Sequence, residues 1–291
     1  MKTAKKVWIT VAIGLIVLGA GVSMCSLAKL DFNFESLATQ KAISNEHKIT
    51  DDFSNIKIDV DTSDIEFVYS QTDECMVVFV ENEKTKHNVT VNNNTLLIDV
   101  EDNRKWYDHI GISFSEMSIT VHLPKEHYDS LNIEADTSDL TIPKDFTFGN
   151  VEVETDTGDV SLLSSAKETL DISTDTGDIE IGSVLDIKSI KRIECKNIKI
   201  ESDTGDIKLW RTMASDTITV KSNTGDVWFC IVESPYINVV TNTGDVEGDL
   251  YYAPTFKAKT DTGTVKVPPA KSDDVFEITT DTGDIYFKVV K

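Results

Sequence analysis

The chain has 291 residues, enough for one large domain or two ordinary ones. Its 28 Lys and Arg face 50 Asp and Glu, a net charge of −22 that repels nucleic acid and anionic lipid headgroups. Arg104, Arg192 and Arg211 are its three arginines, which argues against a phosphate-reading basic patch.

Residues 7–28 carry no charge. As a helix they would span about 33 Å, close to the roughly 30 Å hydrocarbon core of a bilayer. Lys2, Lys5 and Lys6 precede them and no acid does, so the positive-inside bias predicts a cytosolic tip (1–6), a transmembrane signal-anchor (7–28) and everything else outside the cell. Two alternatives share this outcome. Ser26-Leu27-Ala28 fits a cleavage site, and Val22-Ser23-Met24-Cys25 loosely resembles a lipidation site, although Met24 stands where a small residue belongs. Either way residues 29–291 are exported, with a net charge of 25 − 50 = −25 once the three lysines are removed.

Residues 29–50 read as a membrane-proximal linker with room for a short helix. From residue 51 the chain reads as strands: Ile56–Val60, Ile65–Tyr69, Met76–Val80, Asn88–Val91, Leu96–Val100, Ser118–Leu123 and Leu131–Ala135. Residues 51–135 are expected to form irregular coils of the same domain as the rest. A longer loop, residues 102–116, carries Trp106 and Tyr107. Cys75, Cys195 and Cys230 match neither a zinc site nor a redox pair, so the fold is not expected to depend on cross-links.

Residues 136–291 are dominated by a repeat. A four-residue signature starts at Asp61, Asp136, Asp156, Asp175, Asp203, Asn223, Asn242, Asp261 and Asp281, mostly 19 or 20 residues apart. It reads DTSD twice, then DTGD three times, NTGD twice, DTGT and DTGD. Five and three residues before each signature, and four and six after its start, the chain is apolar, with Gly248 the one exception in 36 sites. Polar residues alternate with them. Each repeat is therefore strand–turn–strand with one buried face. Such a unit cannot bury its apolar face alone, whereas stacked units bury it continuously. The predicted fold is all-β, a parallel β-helix or solenoid of roughly 20-residue coils, right-handed by strand chirality.

The turns have their own chemistry. Gly158, Gly177, Gly205, Gly225, Gly244, Gly263 and Gly283 fit a backbone position that is cheap only for glycine. The leading Asp156, Asp175, Asp203, Asn223, Asn242 and Asp281 are expected to accept a hydrogen bond from the amide two residues on, and the interchange of Asp with Asn favours a turn-forming role. The closing Asp159, Asp178, Asp206, Asp226 and Asp245 would stack into an acidic ladder, a candidate metal site for Ca2+. Calcium prefers six to eight oxygen ligands, however, and the glycine-rich calcium nonapeptide is absent. No other cofactor is implied. Trp106, Tyr107, Trp210 and Trp228 are candidates for a ligand surface, as exposed aromatics stack on sugars, and Tyr251 and Tyr252 are flagged with them.

The DTGD-turn array, the N-terminal apolar segment and the stretches NIKIDVDTSDIEFV and NTLLIDVED resemble the bacterial putative-adhesin β-solenoid family, largely domains of unknown function. The resemblance covers about residues 50–291. It implies a surface-exposed β-helix, with some members linked to envelope stress, and supplies no catalytic residues. The expected function is a non-enzymatic binding or scaffolding module at the cell envelope, tethered to the membrane through its N-terminal helix. Its expected partners are wall glycan or envelope protein. A polysaccharide-active β-helix enzyme is the alternative, but glycoside cleavage needs one special pair of carboxylates, and these coils are nearly alike.

Overall fold

The computed structural model describes residues 42–82, 85–102, 117–183 and 192–290. The expected tip, the anchor, residues 29–41 of the linker and the loop with Trp106 and Tyr107 lie outside them. Among the described residues no helix is long and apolar enough to cross a membrane.

Seven strands form the N-terminal part: β1 (Ala42–Ile49), β2 (Asn55–Thr62), β3 (Asp64–Tyr69), β4 (Cys75–Asn82), β5 (Thr85–Asn92), β6 (Thr95–Asp102) and β7 (Ser118–Leu123). Strand pairs joined by signature turns follow. They are β8 (His127–Thr137) with β9 (Leu140–Ile142), β10 (Thr147–Thr157) with β11 (Val160–Leu162), and β12 (Ser165–Thr176) with β13 (Ile179–Ile181). Next come β14 (Ile193–Thr204) with β15 (Ile207–Trp210), and β16 (Thr212–Thr224) with β17 (Val227–Cys230). The last are β18 (Tyr236–Thr243) with β19 (Val246–Leu250), β20 (Thr255–Thr262) with β21 (Val265–Lys266), and β22 (Val275–Thr282) with β23 (Ile285–Val289). They build two sheets. One runs β1-β4-β7-β3-β9-β11-β13-β15-β17-β19-β23-β21 and the other β20-β22-β18-β16-β14-β12-β10-β8-β2-β6-β5. Each coil thus contributes one strand to each sheet, as a solenoid requires.

Registers put equivalent residues on top of one another. Leu170 pairs with Ile198, which pairs with Ile218 and then Ile237. The alternating apolar residues point inward and form one buried cluster from Phe53 to Phe287. Each such Val, Ile, Leu or Phe contributes about 1.5–3 kcal/mol, an upper-range figure. Gly248, the exception to the apolar rule, stands between Phe229 and Phe287 in register, and a Cβ there would lie 2.7 Å from the Phe287 ring. The Phe229 carbonyl oxygen, at 2.6 Å, and the Phe287 ring occupy the space its side chain would need.

Chain order and spatial order part at both ends. The two DTSD coils, 75 residues apart in sequence, are direct neighbours: β2 pairs with β8 in parallel from Asn55↔Ser130 to Thr62↔Thr137. The segment between them stacks on the outer side of the first coil. There β6 and β7 continue the parallel stack, but β5 and β4 run antiparallel to them, and β1 runs antiparallel to β4. Residues 51–135 are therefore only partly coils of the expected kind, because a hairpin turns the outermost layer back on itself. The linker expectation is also corrected: residues 42–49 are an edge strand. Its side chains are mostly exposed, so it carries no apolar alternation and is held by backbone pairing to β4. At the other end β22 lies between β18 and β20, and β23 between β19 and β21. The last coil in sequence is thus inserted beneath the one that precedes it.

Candidate functional site

The turn corner is a hydrogen-bonded ladder. The turn glycines from Gly158 to Gly283 have φ between 142° and 156°, and a Cβ on Gly205 would come within 2.0 Å of the Gly177 carbonyl oxygen. Both the backbone angle and the close stacking demand glycine. Ser63 and Ser138 take that place in the first two coils without positive φ, and both are buried. The expected bond to the leading Asp is not formed, because the Gly158 amide already donates to Thr176 O of the next coil at 2.9 Å. Stacking outcompetes the local turn bond. The leading residues contact one another instead, where Asn223 Nδ2 donates to Asp203 Oδ1 at 2.8 Å and Asn242 Nδ2 to Asn223 Oδ1 at 2.9 Å.

The closing aspartates carry the ladder. The amide of Asp159 donates to Asp139 Oδ1 (2.8 Å), that of Asp178 to Asp159 (2.7 Å), and that of Asp206 to Asp178 (2.7 Å). The series continues through Asp226 (2.9 Å), Asp245 (2.8 Å) and Asp284 (2.7 Å) to the Thr264 amide (2.7 Å). Each carboxylate therefore holds the next coil's backbone through a charge-assisted bond. The DTGT copy lacks the carboxylate and is the outermost coil, with no further amide to receive. Lys208 Nζ bridges Asp178 and Asp206 at 3.8 and 3.4 Å, offsetting part of the like-charge repulsion. Among the described residues no three His, Cys, Asp or Glu side chains are grouped to hold a metal ion.

One feature of this corner escaped the sequence reading. The residue before most of the signatures, among them Thr155, Thr174, Ser202, Ser222, Thr241 and Thr280, is also buried. Period two puts it inward, and several of these hydroxyls donate to the glycine carbonyls, as Thr280 Oγ1 does to Gly244 O at 3.3 Å.

The N-terminal cap buries a polar relay. The His87 ring lies 3.2 Å from Ser63 Oγ through Nε2 and 3.1 Å from Glu81 Oε2 through Nδ1. The His87 amide donates to Glu81 Oε2 at 2.8 Å, and Asn45 Nδ2 to Oε1 at 2.5 Å. Burial pushes His87 below its usual pKa, opposed by Glu81, Asp61 and Asp99. Burial also raises the Glu81 carboxyl, but its hydrogen bonds to the His87 amide, Asn45 and the His87 ring outweigh that and hold it low. Glu81 is thus ionised and His87 neutral, with Nδ1–H donating to Glu81 and Nε2 accepting from Ser63. The order Ser–His–Glu resembles a nucleophile relay. The three residues are only 2, 5 and 4% exposed, however, and the His87 ring stacks on Phe79 at 4.7 Å, which is the setting of a structural network. Alternation of buried Thr85 and His87 in β5 is the signal that would have found it.

A third region is concave. Ahead of their main run the long strands carry a second set of buried residues, Phe148, Ala166, Cys195 and Ala214. Register slips by one between Phe148 and Asn150 and between Cys195 and Asn197. Such bulges bend strands, and here they lie on the narrow side of the solenoid, where the chain crosses from one sheet to the other. Cavities of about 520, 390 and 250 Å³ lie along it. The first two share Met213 and Ser215, and the last two share Thr147. Tyr251 and Tyr252 line the largest, and Tyr69 lines the smallest. Burial pushes the Tyr252 hydroxyl up to about 12. Arg192 holds Glu233 through two bonds of 3.1 and 2.9 Å.

Trp210 and Trp228 lie outside this strip. They are half-buried in β15 and β17, and their indole nitrogens are covered without a hydrogen-bond partner. The structure therefore gathers the tyrosines, not the tryptophans, at a concavity.

Among solved structures, a putative adhesin from Bacteroides fragilis is similar at 15% identity and TM-score 0.54, covering 86% of this chain and 97% of its own. A putative lipid binding protein from Parabacteroides distasonis is similar at 15% identity and TM-score 0.50, covering 84% and 97%. Both likenesses are of fold. No curated protein matches the chain. The family model Toastrack DUF4097 matches residues 53–185 and again 164–291, together most of the chain, which therefore belongs to the Toastrack family.

Proposed function

We propose that this chain is a non-enzymatic binding and scaffolding module of the bacterial envelope. Residues 7–28 anchor it in the membrane as a single pass, and residues 29–291 project outside as a right-handed solenoid. The observation that carries this reading is the sameness of the coils. From Asp139 to Asp284 the closing carboxylates take the same part, each holding the amide of the next coil. A glycoside hydrolase built on this stack would need one coil set apart by a pair of free, placed carboxylates. A stack of equal coils instead offers a long rigid surface, the usual binding device of solenoid proteins. The acidic charge favours wall material and proteins over anionic lipid as partners.

The test is co-sedimentation of the full-length chain, in detergent, with isolated bacterial cell walls, in calcium and in EDTA. Binding is expected in both buffers, since the ladder carboxylates are engaged by amides. Failure to sediment in either buffer would overturn the wall-binding reading. Loss in EDTA alone would return a cation to the ladder.

A further inference from the structure

We infer that the cavity between Met213 and Tyr252 on the narrow side is a binding site for an uncharged carbohydrate chain. A glycan seated there would give the envelope-binding role, on which this assignment rests, both a place and a ligand chemistry.

The cavity is about 520 Å³, within the roughly 300–1,000 Å³ of small-ligand sites. Its lining mixes two kinds of group. Tyr251, Tyr252, Met213 and Pro235 present apolar faces, while Ser215, Glu233 and Asp274 present hydrogen-bonding atoms. Sugars have the same mixture, apolar C–H faces edged by hydroxyls. A tyrosine ring with a wet hydroxyl edge matches both. Tyr251 is 50% exposed, free to pack on a ligand, whereas Tyr252 is half-buried. Glu233 is held rigidly by Arg192, so its acceptor atoms are in place before a ligand arrives.

Charge narrows the choice. Arg192 cancels Glu233, which leaves Asp274 as the one carboxylate of the lining without an ion pair among the described residues. The adjoining cavities add Glu194, Glu126 and Asp145 against Lys167 and Lys144, so the strip is only weakly acidic, too little to select a polycation and of the wrong sign for a polyanion. A neutral ligand fits. The site also belongs to a strip. Adjoining cavities continue it to Tyr69, itself 37% exposed, across the strands from β19 to β3. Six strand spacings make about 29 Å, the reach of a chain and not of a single sugar.

The experiment titrates the full-length chain in detergent with neutral hexasaccharides (β-linked N-acetylglucosamine, β-glucan and α-glucan), followed by calorimetry. Hexalysine and a sulfated hexasaccharide are the charged comparators. Saturable binding of at least one neutral hexasaccharide is expected. Tyr251→Ala should weaken it tenfold or more, while Tyr251→Phe, which keeps the ring, stays within threefold of the parent. Circular dichroism of both variants should match the parent. No binding of any neutral probe, equal binding by Tyr251→Ala, or tighter Tyr251-dependent binding of hexalysine would each overturn the assignment. The wall co-sedimentation separates the two readings. Walls bound equally by the parent and Tyr251→Ala would leave the envelope role standing and remove the glycan site, whereas walls bound by neither would remove the role itself.

Discussion

The middle of the stack and its two ends solve the same problem differently. Between β10 and β19 each coil lies on the next in chain order, and one set of bonds repeats from turn to turn. At the ends the order breaks. The N-terminal end is closed by a hairpin layer that runs against the stack and buries Glu81 and His87. The C-terminal end is closed by the DTGT coil, with β22 and β23 slid beneath it. A regular repeat grows by addition, but its last layer always has an unpaired edge. In this protein termination required sequence that departs from the repeat.

The largest expected effect comes from breaking the C-terminal order. Removing residues 275–291 takes away the coil on which β20 and β21 rest, so two coils should be lost together. Hydrogen exchange should show protection in β20 falling by about 100-fold or more. Unchanged protection would mean that β20 pairs directly with β18. Next is the core of the regular stack. Phe229→Ala should cost about 4 kcal/mol in denaturant unfolding, because Gly248 beside it cannot fill the void.

Acid should separate the two regions. An unfolded histidine titrates near 6.5, and His87 is held lower in the fold, so the unfolded chain binds the proton more tightly. Stability from this residue is present above about pH 6.5 and is lost as pH falls through the folded value, at no more than about 1.4 kcal/mol per pH unit. Glu81 adds a loss of the same sign below about pH 4.5. Exchange corrected for intrinsic rates should show β4 and β5 loosening between pH 7.5 and 5.5 while β16 does not. His87→Gln should flatten that response. The smallest effect is in the ladder. Asp206→Ala leaves the partly exposed Asp226 amide to water and should cost about 1 kcal/mol. Thr264→Asp, on the outermost coil, should change stability by less than about 0.5 kcal/mol. A gain in stability from Asp206→Ala together with a loss from Thr264→Asp would show that like-charge repulsion, rather than the amide bond, governs the column.

Much of the regular stack was legible because its signal is one-dimensional. Period two in residues such as Val151, Val153, Val160 and Leu162 states which side chains are buried, and Gly at the turn states the backbone angle. What was not legible depends on which backbone meets which. Near-identical coils cannot say in what order they stack, and Thr264 at a position otherwise held by Asp was the only trace of the terminal exchange. β1 lacks apolar alternation because its partner supplies backbone bonds rather than a core. The aspartate ladder was foreseen as a column of like charges, but the amides that give it a purpose belong to neighbouring coils. Tyr251 and Tyr252 could be flagged as aromatics, whereas the concavity they line is completed by residues of other coils, Met213, Glu233 and Asp274 among them.

The inserted terminal coil also sets a timetable. A chain made N-terminus first can add coils in order only as far as Leu250. The coil from Thr255 to Lys266 then arrives before the layer it must rest on, and stays unpaired until β22 and β23 have emerged. Emergence of β22 and β23, rather than length alone, therefore gates closure of this end of the stack. Strand edges on neighbouring nascent chains are open to one another for that interval.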